Sequence, residues 1–335
     1  EQDSAISRRK TLIHRLRNLS VPTILFVVLL VAVSSGVRLF GIDWDQGSLF
    51  HPDERAIYMK VWELAFPAND LGNLLNPQLS PLNPRWFPYG SYPLYQLKFA
   101  DFLISSFTEL EWSDTRFIGR VLSALADTGT VLAVLLLGTR IFGRRTGAIA
   151  AVLLAFSVIH IQLSHFYTVE TFLTLFVVIT MLFLLKVTET GKVRYSALAG
   201  IFIGLAFATK VSAAPILGAL ILAHLMQDSF GSAQGIIRRP TFLGLWKSVQ
   251  GCSVSLGVAA VTFFLVAPFA VLDWPTFLKD VFYQGSMVSR EIDLPYTRQY
   301  ENTLQYWYQM RHLSVWGFGI PLGVVAWCGL LFASV

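Results

Sequence analysis

Charge is scarce in this sequence. Only 14% of its 335 residues are Asp, Glu, Lys or Arg, where a soluble domain carries about 25%. The deficit runs the length of the chain, which excludes a globular domain with one greasy tail. Cysteine is nearly absent. The two present, Cys252 and Cys328, each fall in an apolar stretch, so there is no disulfide framework and no zinc spacing. No haem signature occurs. Basic residues are not interleaved with aromatics, which argues against nucleic acid as a partner. The formal charge of +5 fits instead the Lys/Arg excess of membrane proteins. Fixed-period repeats and low-complexity tracts are also missing.

Apolar residues dominate, at 54%, and they come in runs long enough to cross roughly 30 Å of hydrocarbon. The first covers 21–40, with Arg38 its only charge, and follows Arg8, Arg9, Lys10, Arg15 and Arg17. It has no small-residue cleavage site, so we read a retained span with its amino terminus in the cytoplasm. Further spans are expected at about 121–139, 146–165, 171–185, 195–211, 214–226, 249–272 and 316–334. The fold class is therefore all-α, a polytopic transmembrane bundle of about eight spans. The segments after the second, fourth and sixth spans carry Arg140/Arg144/Arg145, Lys186/Lys192/Arg194 and Arg238/Arg239/Lys247, so every cytoplasmic turn is basic.

The chain thus divides into a basic cytoplasmic segment (1–20), a transmembrane core (21–272) with a first outer loop at 41–115, a second outer loop (273–315) and a last span (316–335). The outer loop at 41–115 is expected to hold two juxtamembrane helices, near 53–66 and 95–107. Val335 ends the sequence inside an apolar run, which fits a longer natural chain as well as a terminus at the membrane surface.

Four features fall on the outer side of this topology. Asp43, Asp45, His51, Pro52, Asp53 and Glu54 follow the first span. Adjacent carboxylates there can act as general base or metal ligand, and Asp53 and Glu54 would equally suit a helix amino terminus. Glu170 lies between two strongly apolar spans, where an ionisable residue is a functional candidate or an interfacial cap. Lys210, at the outer end of the fifth span, can snorkel or hold a lipid phosphate. Arg116 and Arg120 lie one helical turn apart and share a face, placed to bind phosphate or pair with the acids. Asp127, two turns further in, is expected to pair with Arg120 or cap Thr130. A carboxylate base, a second carboxylate and fixed cations at one membrane face suit transfer from a lipid-phosphate donor.

At these residues the sequence resembles the multi-spanning glycosyltransferases of the GT-C class. The closest branch is the protein O-mannosyltransferase and aminoarabinose-transferase one. The carrying motifs are His51-Pro52-Asp53-Glu54-Arg55, Arg120 opening the second span, Phe142-Gly143-Arg144-Arg145, Ser164-His165-Phe166 leading to Glu170, and Gly204 to Lys210. The resemblance covers roughly residues 20–275. It implies transfer of a sugar from a polyprenyl-phosphate donor to an extracytoplasmic acceptor, with inversion. Asp53 matches the catalytic base, Glu54 its partner, and Glu170 the second acidic position. Arg120 and Lys210, with Arg116 beside them, match basic positions facing the donor phosphate, and His51, His165 and Asp127 would support the acids. His165 departs from the arginine many relatives carry. No cofactor follows; a divalent metal is compatible with the motif but not required, and no metal-ligand set is assigned. The branch suggests a bacterial inner (plasma) membrane. Two other classes stay open: a non-catalytic subunit of a larger membrane complex, and a transporter or lipid flippase.

Overall fold

The computed structural model describes residues 20–66, 71–227, 242–304 and 306–334. The basic run at Arg8 to Arg17 and the pair Arg238/Arg239 lie outside them. Among the described residues the structure is helical, without strands.

Helix α1 (Val21–Leu39) opens on Pro22, whose missing N–H costs nothing in a first turn. Its 19 residues span roughly 28 Å at 1.5 Å per residue. The segment after α1 then supplies α2 (Pro52–Glu63) and α3 (Tyr92–Ser105), the two short helices expected there. Helix α4 (Trp112–Phe142) is longer than the span read from the sequence. A reciprocal cap between Glu111 and Asp114 starts it more than two turns early.

The third expected span is not one helix. It divides into α5 (Arg144–Ala155) and α6 (Val158–Ser164), bent by 56°. No proline or glycine sits at the break. Arg38 stabilises it from α1, donating Nη1 to the freed carbonyl of Ala155 at 3.0 Å. Then come α7 (Val169–Thr190), α8 (Val193–Thr209), α9 (Ile216–Met226) and α10 (Phe242–Val266). Two short helices, α11 (Pro268–Leu272) and α12 (Trp274–Val288), precede α13 (Trp307–His312) and α14 (Ile320–Ser334).

The eight expected spans therefore map onto four long apolar helices (α1, α4, α7, α10), one bent pair, and three shorter apolar segments. The apolar windows of α1 and α10 are each only 17% buried by protein. Leu25, Val28, Leu29, Val261 and Leu265 point away from the protein, an arrangement that water would penalise and hydrocarbon would not. This is an integral membrane protein.

Helix α8 is the hub of the bundle, packed between α7 and α10. Glycine makes the α8–α10 contact possible. A Cβ at Gly200 would overlap the Ser255 carbonyl, and one at Gly204 would meet the Ala259 carbonyl. Ser255 Oγ adds a hydrogen bond to the Ser196 carbonyl at 2.9 Å. Small residues let membrane helices approach backbone to backbone. Gly204→Leu is expected to push α8 off α10 and to cost about 1–3 kcal/mol, read as an earlier thermal transition in detergent.

Candidate functional site

The site is assembled where α2, α4, α7 and α8 meet the segment between α1 and α4. Its foundation is Arg120. The side chain is fully buried, and all five N–H donors of its guanidinium are engaged. Nε and Nη2 donate to Glu54 at 2.9 and 2.8 Å. Nη1 and Nη2 donate to Asp45 at 3.0 and 2.7 Å. Nη1 also reaches the Ile42 carbonyl at 2.8 Å. Asp45 further accepts from the backbone N–H groups of Gly47 and Leu49 at 3.2 and 3.0 Å. Burial alone would raise the Asp45 carboxyl, but the hydrogen bonds and charge of Arg120, with those two N–H groups, outweigh it and hold it below the usual carboxylate range.

This corrects two sequence expectations. Glu54 was expected beside Asp53 at the chemistry. It is fully buried, bound by Arg120 and by the Tyr167 N–H at 2.9 Å, and no substrate can reach it. Arg120 was expected to face a donor phosphate, and it has no donor left to offer. Both positions build a clamp that ties α4, α2, the start of α7 and the turn after α1 together.

Asp127 is a third correction. It pairs neither with Arg120 nor with Thr130, whose hydroxyl donates to the Ala126 carbonyl at 3.2 Å. Its partners are Arg38 Nε at 2.7 Å and His160 Nδ1 at 2.6 Å. A charge on α1 thus meets a charge on α4 inside the bundle, and neither faces lipid. Arg116 is bound to Asp43 at 2.8 Å and lies over the Phe117 ring at 4.4 Å.

His51 and His165, the two histidines expected to support the acids, bind backbone groups. His51 caps α2, its Nδ1 facing the Glu54 N–H at 3.5 Å. His165 places Nδ1 on the Ile161 carbonyl at 2.7 Å and Nε2 on the Phe40 carbonyl at 2.8 Å, linking the end of α1 to the turn before α7.

Of the remaining three expected residues, Glu170 and Lys210 are paired. Asp53 sits on the first turn of α2, half-buried, one residue from Glu54, and pairs with no cation among the described residues. Glu170, on the first turn of α7, accepts from Lys210 Nζ at 3.0 Å, and each side chain is one-third exposed. Lys210 ends α8, where the chain turns extended. Between these groups lies Tyr89, which sequence reading missed. Its ring is 5.8 Å from Lys210 Nζ, and its hydroxyl feels the Asp53 carboxylate. Burial, then the Asp53 carboxylate, push the Tyr89 hydroxyl well above its ordinary value, so it stays a donor. The only signal for it was an aromatic residue inside a Pro/Gly-rich stretch, Trp86-Phe87-Pro88-Tyr89-Gly90.

An apolar cavity of about 380 Å³ opens between α8, α9 and α10, with Phe207, Val211, Phe263 and Phe277 among its walls. No group of three or more His, Cys, Asp or Glu side chains that could hold a metal occurs among the described residues.

Residues 98–235 match the family model of dolichyl-phosphate-mannose-protein mannosyltransferase. The resemblance read from the sequence is borne out there. The matched segment contains Arg120, Glu170 and Lys210; Asp53 and Tyr89 precede it. No curated protein matches the chain. Among solved structures it is similar to the Archaeoglobus fulgidus oligosaccharyltransferase, described in complex with zinc and sulfate. Identity is 16% and the TM-score 0.45, with 92% of this chain and 46% of that chain covered. The chain thus spans about half the length of that protein.

Proposed function

We propose that this chain is a membrane glycosyltransferase that moves a sugar from a polyprenyl-phosphate donor to an extracytoplasmic acceptor. The observation that carries this is the contrast between two adjacent carboxylates. Glu54 is consumed by the Arg120 clamp, while Asp53 is half-buried, pairs with no cation among the described residues, and lies near Tyr89, whose ring Lys210 approaches.

Asp53 takes the proton of the acceptor hydroxyl as its oxygen attacks the sugar carbon. The bond from that carbon to the phosphate oxygen breaks, and its electron pair leaves with the lipid phosphate. Attack opposite the leaving phosphate inverts the carbon. Lys210 has three N–H donors and gives one to Glu170, which leaves two for phosphate oxygens. Glu170 holds the ammonium in place. The apolar cavity lined by Val211, the residue after Lys210, supplies a dry wall for the lipid's first units. On this reading Asp53, Glu170 and Lys210 lie on the outer side of a bacterial plasma membrane.

Lys210→Met is expected to weaken binding of the lipid-phosphate donor about tenfold or more, the value of a charge-assisted hydrogen bond. Donor titration in nanodiscs measures it, and an unchanged affinity would remove Lys210 from the phosphate site. The reading as a whole is tested by release of labelled sugar from a panel of polyprenyl-phosphate sugars. A folded protein that turns over none of them would point to a non-catalytic subunit.

A further inference from the structure

Segment 83–90 reaches the site from outside the bundle, and its anchors lie on the surface helices that follow α10. Asp273, at the junction of α11 and α12, accepts from Asn83 Nδ2 at 2.9 Å. Asp280, on α12, accepts from the Phe87 backbone N–H at 2.6 Å. The Phe87 ring is buried and meets Phe277 edge-on, with centroids 5.8 Å apart. At the far end Gly90 donates its N–H to the Thr209 carbonyl at 2.9 Å. A Cβ at Gly90 would overlap the Ala208 carbonyl, so the strand of chain lies flat on the turn that carries Lys210. Between the clips Arg85 adopts a left-handed backbone, φ +47°, which a side chain pays to hold and a free loop would abandon. Only Pro88 and Tyr89 separate the pinned Phe87 from the pinned Gly90.

We propose that segment 83–90 is a positioning strap, held down by Asp273 and Asp280, that presents Tyr89 to Asp53 and Lys210. Asp273 and Asp280 touch no reacting atom; they act through Tyr89. The strap itself rests on the contacts above, and its consequence for turnover rests on the proposed function. Charge-assisted hydrogen bonds to backbone and amide N–H groups are the stronger kind, and two of them close the strap against solvent.

The test uses the full chain in nanodiscs as wild type, Asp280→Ala and Asp280→Asn. Asparagine keeps an acceptor oxygen for the Phe87 N–H, and alanine does not. Trypsin scission at the exposed Arg85, quantified by mass spectrometry, reports strap release. Asp280→Ala is expected to be cut about tenfold faster or more. Its kcat should fall by about the same factor while the donor KM stays within roughly twofold. Asp280→Asn should return both readouts most of the way to wild type. Unchanged scission in Asp280→Ala overturns the strap, as does faster scission with full kcat. If Asp280→Ala does not fold, Asp273→Ala, which leaves the Phe87 clip in place, is read by the same scission. A wild type that turns over no donor sinks the glycosyltransferase reading alone, and protection of Arg85 still decides the strap.

Discussion

Asp53→Asn is expected to reduce sugar transfer by about two to four orders of magnitude while the protein folds and melts as the wild type does. The two halves of this expectation come from different observations. Asp53 is half-buried and carries no ion pair, so neutralising it removes little stability. Asparagine keeps the shape but cannot take a proton from the acceptor hydroxyl. Steady-state transfer with a polyprenyl-phosphate sugar, alongside a thermal melt, separates the two. Full activity in Asp53→Asn would end its assignment as the base. Glu54→Gln makes the contrast: its effect should appear first in the melt, because Glu54 holds Arg120 and does not face the acceptor.

Arg120→Met should produce the largest structural loss in the molecule. Removing the guanidinium leaves Asp45 and Glu54 buried without a counter-charge, and breaking a buried ion pair from one side costs about 3–5 kcal/mol. Against a total stability of about 5–15 kcal/mol, that is enough to lower the yield of folded protein sharply. Lysine is not a substitute, since three donors cannot replace five in a planar fork. The Asp45 carboxyl is depressed by this contact. Its contribution is therefore present above the unfolded carboxyl's pKa, about 3.9, and fades as pH falls toward the lower folded value. Yield and melting temperature in detergent, at neutral pH and at about pH 4, measure both effects. A stable Arg120→Met that only binds donor more weakly would return Arg120 to the phosphate.

The helices were legible because apolar runs and basic turns are written in composition, and membranes allow few alternatives for such runs. The break between α5 and α6 was not. It depends on Arg38 donating to the Ala155 carbonyl from 117 residues away, and no local residue marks it. The same limit explains the site. Residue type placed Asp53, Glu170 and Lys210 on one face, and the structure pairs Lys210 with Glu170. Type could not say which of two neighbouring acids would be spent on a buried arginine, because Asp45 and Arg120 meet across 75 residues. Asp127 went to the wrong partner for that reason: the nearer arginine in sequence was already saturated. Tyr89 was invisible because its place depends on Asp280, 193 residues beyond Phe87.

The pairing of Arg38 with Asp127 has a consequence for how the protein is made. The two are 89 residues apart, and at roughly 5–20 residues per second of synthesis α1 exists for several seconds before α4 does. During that interval Arg38 lacks the carboxylate it meets in the bundle. Its position at the very end of α1 lets the guanidinium reach headgroups while it waits. Only when α4 arrives can the charge be drawn inward, so the first helix enters the bilayer as a loose anchor and becomes part of a bundle later.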